Sequence, residues 1–204
     1  MRYKLAFLLL LIVSCGDNHI VQRAAEDYFP LSEGYWWQYS SQNDTILVEV
    51  EPLDTIIEVE CFPVTFNGRV EYIAKRDASI SKYVVTLYNF AGVDYTILED
   101  FIVRIELPLV KGHSYHHVLA DSILVAGQSV SASYEVIGDI IDFSYDPGYG
   151  DVYEIRIMTI ETLVENGSVN SDTVEITEYY APGTGMIRFQ DETADYNLIE
   201  TNIP

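Results

Sequence analysis

Three of the four histidines of this 204-residue chain stand close together, at His113, His116 and His117, and imidazoles gathered in this way first raise the question of a metal. In an extended chain, His116 and His117 point to opposite faces. His113 and His117 share a face but lie roughly 13 Å apart at about 3.3 Å per residue. One ion with bonds of about 2 Å does not reach both without a bend between them. No metal site is expected. Asp139, Asp142, Asp146 and Asp151 crowd a turn-rich segment. Calcium wants six to eight oxygens converging from a flexible loop, and this spacing fits no EF-hand. A solvated acidic rim is the expectation, with calcium as the alternative.

Nucleophilic chemistry finds less support. The chain has no G-x-S-x-G sequence, and His113 and Ser114 are only neighbours along it. Cys61 sits in the run Ile57-Glu58-Val59-Glu60-Cys61, on one face with Ile57 and Val59 if that run is extended. It has no histidine or other base in local register and reads as a buried thiol. Some pair among the 32 acidic residues must stand at a glycosidase's carboxylate separation in any fold, so that abundance identifies nothing. No phosphate-cradling glycine loop or dinucleotide fingerprint occurs. No catalytic residue and no cofactor is assigned, and the chain is expected not to be an enzyme.

The chain begins with Arg2 and Lys4 ahead of an apolar run at 5–13, the form of a secretion signal over 1–14. Nine apolar residues fall short of the about 20 that span a bilayer as a helix. The signal ends Ile12-Val13-Ser14-Cys15, which resembles the bacterial lipobox. That resemblance implies cleavage before Cys15 and lipid on its sulfur and new amino terminus. Gly16 follows, not Asp, which by the same resemblance favours the outer membrane. Residues 15–27 then form the lipidated cysteine and a short tether. With Cys15 lipidated, Cys61 has no partner for an intrachain disulfide.

The net charge is −21 at pH 7, and losing Arg2 and Lys4 with the signal deepens it. Nucleic acid and anionic lipid surfaces are therefore poor partners. A hydrophobic fraction of 49% nonetheless argues for a packed core.

Residues 28–204 are expected to form one domain, and its first strand is aromatic. In 28–39, YFPLSEGYWWQY, Pro30 pushes Phe29 towards an extended form and Gly34 permits a turn. Alternation then puts Tyr35, Trp37 and Tyr39 on one face and Trp36 and Gln38 on the other. That face can seed a core or, with Trp37 and Tyr39 as the candidate ligand-binding residues, hold an apolar ligand.

The rest of the chain repeats period two. Ile46, Val48 and Val50 alternate with Leu47, Glu49 and Glu51, while Tyr153, Ile155 and Ile157 alternate with Glu154, Arg156 and Met158. Val174, Ile176 and Tyr180 alternate with Thr173, Glu175, Thr177 and Tyr179. A wet face and a dry face mark antiparallel sheet. Asn67-Gly68 and Asn166-Gly167 signal two-residue hairpins, and Ala126-Gly127 and Pro147-Gly148 mark further turns. About ten to twelve strands are predicted. The fold class is all-β, a single antiparallel sheet curved into a half-barrel or barrel-like sandwich.

One local pattern occurs twice. Phe29-Pro30-Leu31, Gly34 and Trp37 are answered, 78 residues on, by Leu107-Pro108-Leu109, Gly112 and Tyr115. The start YFPL-x-x-G-x-x-W-x-Y, the second element LPLVKGHSY and the close YYAPGTGMIRF resemble a family of uncharacterised bacterial lipoproteins of the TapB type. Tyr115 departs from the tryptophan commoner there. The resemblance implies an antiparallel, half-barrel-like lipoprotein with no established catalytic residues. The chain is accordingly expected to be an outer-membrane-anchored, non-enzymatic interaction or structural protein of the cell envelope. Its partners would be the membrane, through the lipid, and an envelope protein. The first alternative is a carrier of an apolar ligand, a lipid or acyl chain. The second is a glycan-active enzyme.

Overall fold

A computed structural model describes residues 27–204, and among these every regular element is a strand. In chain order they are β1 (Trp36–Ser40), β2 (Thr45–Val50), β3 (Asp54–Ile56), β4 (Val59–Phe66) and β5 (Arg69–Arg76). Next come β6 (Ser79–Phe90), β7 (Val93–Glu106), β8 (Ser114–Val125), β9 (Gln128–Asp146) and β10 (Gly150–Glu165). The chain closes with β11 (Ser168–Ala181), β12 (Gly185–Gln190) and β13 (Asp195–Thr201). Twelve of them form one antiparallel path, β7-β6-β5-β4-β2-β1-β13-β12-β11-β10-β9-β8, with β3 paired to β4 beside it. The predicted all-β, curved single sheet is what the chain forms. The sheet is nearly closed, with β7 and β8 at the two ends of the path and no ladder between them.

Turn chemistry dictates most of the connections. Asn67-Gly68, Ala91-Gly92, Ala126-Gly127 and Asn166-Gly167 each place two residues at positive φ, as tight hairpins between right-twisted strands require. Ile57 and Glu58 are a fifth such pair. The run expected to be extended from Ile57 therefore begins as a turn between β3 and β4. Cys61 is free and buried as expected, and burial pushes its thiol pKa up, the opposite of an activated nucleophile.

Strand lengths are unequal, and this shapes the molecule. β12 stops at Gln190, opposite Thr177 of β11, so residues 168–176 of β11 are bonded only to β10. Likewise β5 meets β6 only over residues 79–82, and residues 83–90 are paired only with β7. One side of the barrel is short, at β12, β13, β1 and β2. The other side is tall, and its hairpin tips are held together by Tyr88, Ile97, Val125, Val130 and Ala132. The Tyr88 hydroxyl also donates to Glu165 Oε1 at 2.5 Å.

The strap entering β1 fills the other end. Tyr28 and Phe29 are buried in the main core, edge-on to Tyr153 and tilted against Tyr180. Lys75 Nζ grips both Asp27 oxygens and donates to the Phe29 carbonyl at 2.7 Å.

Candidate functional site

The inward phase of the alternation is apolar at the base and interrupted by charge higher up. At the base, Trp37 and Tyr39 are 5% and 1% exposed and pack with Val48, Val50 and Val64. Their polar atoms are spent on the neighbouring wall. Trp37 Nε1 donates to the Thr184 carbonyl at 2.6 Å and the Tyr39 hydroxyl to the Met186 carbonyl at 2.7 Å. The two rings border a cavity of about 110 Å³ with Tyr28, Phe29, Val48 and Met186. They offer it only apolar surface.

Above them lies a layer of ion pairs that the sequence pattern did not assign. Arg104 on β7 donates to both oxygens of Glu178 on β11, at 3.0 and 2.5 Å. The Tyr180 hydroxyl adds a third bond to Glu178, at 2.9 Å. Burial works against the Arg104 charge, yet the Glu178 carboxylate outweighs it and holds the guanidinium pKa above its ordinary value. Burial and the Glu178 charge together push the Tyr180 phenol well up. Removing either partner would leave the other buried without its counter-charge. Lys82 and Glu71 make a second pair at 2.8 Å, half-buried on the same interior. The signal for these residues was available. Glu178 falls in the inward series Val174, Ile176, Glu178, Tyr180, and a carboxylate at an inward position requires a partner. Which partner it finds was not readable, since Arg104 lies 74 residues away.

This layer is the floor of the larger cavity, about 540 Å³. The apolar wall holds Ile102, Val136, Ile157, Ile176 and Phe189. Glu161 and Asp172 stand directly opposed on β10 and β11 at the rim. They have no cationic partner among the described residues. Both are exposed, whereas a glycosidase acid is set apart by its buried site. The arrangement sets fixed charges beside an apolar surface.

A scan against protein-family models and a search of curated proteins each found no match. Among solved structures, a crystal structure from Parabacteroides distasonis ATCC 8503, described as a "putative lipoprotein", aligns over 88% of this chain and 100% of that one. The identity is 12% and the TM-score 0.38, too low to carry an argument about fold or function. The motif resemblance to TapB-type lipoproteins thus has no family match behind it.

The histidines and aspartates lie elsewhere on the sheet. His113 and His117 bracket Tyr115 and reach one carboxylate, Glu106 on β7. Their Nε2 atoms lie 2.6 and 2.8 Å from its two oxygens. His116 points the other way, to Glu135 at 2.9 Å. The opposed directions of His116 and His117 are those expected of a strand. The convergence of His113 and His117 on a shared acid was not expected. It spans the gap between β7 and β8, where the Tyr115 hydroxyl also donates to the Arg104 carbonyl at 2.7 Å.

The four aspartates serve other groups. Asp139 binds Ser114 and Arg156, Asp142 binds Lys111 and the Phe143 amide, and Asp146 caps the turn at Gly148 and Tyr149. Asp151 is the second residue of β10, opposite Tyr145. No group of three or more His, Cys, Asp or Glu among the described residues is arranged to hold a metal ion. Cys15, the signal over 1–14 and the tether before Asp27 lie outside the described residues.

Proposed function

We propose that the chain is a lipid-anchored, non-enzymatic protein of the bacterial outer membrane whose unfilled barrel interior binds an amphipathic small molecule. The observation that carries this reading is the large cavity, which is apolar along its wall and charged at floor and rim. Ligand pockets commonly enclose about 300–1,000 Å³, with an apolar lining and a few placed polar groups. An apolar body would lie against Ile102, Val136, Ile157 and Phe189, with its polar end among the charged side chains. The smaller cavity extends the apolar wall down to Trp37 and Tyr39. The lipobox at Cys15 and the resemblance to TapB-type lipoproteins support the anchor and the envelope setting.

Two measurements test this. Native mass spectrometry of the freshly purified chain should show a copurifying small molecule. N-phenyl-1-naphthylamine should brighten on binding, and Ile157→Trp, which fills the cavity wall, should lower that binding at least about tenfold. An unoccupied protein that leaves the dye dark would end the proposal. Turnover of a glycan or peptide by the pure protein would overturn its non-enzymatic part.

A further inference from the structure

The mouth of the cavity is bordered by an unfinished sheet. Residues 168–176 of β11 pair with β10 throughout and with nothing on their other side. Residues 168–175 are all exposed. The hairpin at Asn166-Gly167 makes Glu165 and Ser168 its flanking pair, which is hydrogen-bonded in a two-residue loop. By alternation, Val169, Ser171, Thr173 and Glu175 turn their amides and carbonyls outward. The Thr173 amide fits this, since it binds the Asp172 carboxylate at 3.0 Å and not β10.

Natural sheets protect such edges with charged side chains, lysine above all, with proline or with a bulge, and the charges on this edge are the carboxylates of Asp172 and Glu175. This segment contains neither lysine nor proline. Its pairing with β10 runs without a register shift. Its own charge is of one sign: residues 157–176 hold Glu161, Glu165, Asp172 and Glu175 and no lysine or arginine, although Arg156, next along β10, lies close enough to Glu175 to feel its charge. Glu165 is held by Tyr88, which leaves Glu161 and Asp172 on the cavity side and Glu175 on the outer side of the edge.

We infer that β11 is a docking edge for an extended, basic segment of a partner protein, which adds a strand over residues 168–176 and narrows the cavity mouth. A guest strand would form main-chain bonds to the four outward residues, displacing the Asp172 carboxylate from the Thr173 amide. Lysines or arginines on its inward face would meet Asp172 and Glu161, and one on its outer face would meet Glu175. An apolar inward residue nearer the floor would meet Val174 and Ile176, which line the cavity. A second copy of this acidic chain is a poor guest because like charges would oppose across the new ladder.

The experiment uses the purified full chain and a nine-residue peptide of alternating valine and lysine with blocked ends. Binding is read by calorimetry and by amide hydrogen exchange. The expected result is binding at 50 mM salt that weakens at least about tenfold by 500 mM, with slowed exchange confined to 168–176. A peptide of the same sequence with N-methyl groups at alternate positions keeps the charge and cannot pair. It should bind at least about tenfold more weakly. Thr173→Pro removes an outward amide without breaking the β10 ladder and should weaken binding similarly. Asp172→Lys with Glu175→Lys leaves the backbone intact and should do the same. Equal binding of the methylated peptide, exchange unchanged at 168–176, or protection there through self-association without peptide would each overturn the inference. Dye binding in the same samples reports the interior separately, so either reading can fail alone.

Discussion

The pattern that occurs twice in the sequence builds the same turn twice. Gly34 and Gly112 have φ of 80° and 82°. Tyr35 N bonds to the Ser32 carbonyl as His113 N bonds to that of Val110. Gly34 N reaches the Val50 carbonyl and Gly112 N that of Ile140, while Val50 N and Ile140 N return to the Tyr35 and His113 carbonyls. Every bond of the first turn has its counterpart in the second, with the turn residues offset by 78 and their strand partner, Val50 or Ile140, by 90. The strands that leave the two turns differ. The first turn launches β1, which has a ladder on both sides, to β2 and β13. The second launches β8, which has a ladder only to β9. Its far side meets β7 through side chains: Tyr115, His113 and His117. A turn fixes where a strand starts; it does not fix how many neighbours that strand acquires. Where the second neighbour's backbone is out of reach, aromatic and charged side chains substitute for it.

The two regions should part most widely at the aromatic after each turn. Trp37→Ala should cost about 4 kcal/mol by chemical denaturation, since it empties a packed core site, and should lower protection across the whole sheet in hydrogen exchange. A loss confined to β1 would mean that the two regions are less different than their ladders imply. On the β8 side, Gly138 is the sensitive position. A Cβ built there would lie 2.0 Å from Cζ of Tyr115, so Gly138→Ala must expel the ring that crosses to β7. About 3 kcal/mol of destabilisation is expected from such overpacking, with faster exchange concentrated in β8.

The turns themselves should respond alike. Gly34→Ala and Gly112→Ala each force a Cβ into the left-handed region, at about 1 kcal/mol apiece. Melting curves that separate the two by more than twofold in free energy would refute their equivalence.

The smallest effect is expected at Glu106. The hydrogen bond from His113 comes first among the influences that hold its carboxyl pKa below the ordinary 4.5, and His117 adds to it. A depressed folded-state pKa stabilises above the unfolded value, and that share is lost as pH falls through the folded one. The three side chains are each about a third exposed or more, so under about 1 kcal/mol is at stake. Wild type should therefore lead Glu106→Gln in urea titrations at pH 6, and the lead should shrink as pH falls below the ordinary 4.5 and be gone in strong acid. A lead that persists in strong acid would show that charge is not what joins β7 to β8.

Much of the fold was legible in the residues. The phase of Ile46, Val48 and Val50, of Tyr153, Ile155 and Ile157, and of Trp37 with Tyr39 places each on the buried side. The Asn-Gly pairs fall at hairpins. These are local matters, settled by a two-residue period and by which residues tolerate positive φ. The run from Ile57 misled because two non-glycine residues take positive φ there, against their intrinsic preference. The site was less legible. Glu178 could be seen to point inward; its union with Arg104 could not. The histidines could be seen to straddle two faces; the acid that gathers two of them belongs to another strand.

By itself the sequence determined most strands, their wet and dry faces and the Asn-Gly turns, because these depend on neighbours within a few positions. Only the tertiary structure decided that β11 outruns β12, that β7 and β8 meet without a ladder, and that the interior keeps an unfilled volume above an ion-paired floor. Those outcomes depend on how strands of unequal length align across the nearly closed sheet, and no short window of sequence contains both partners.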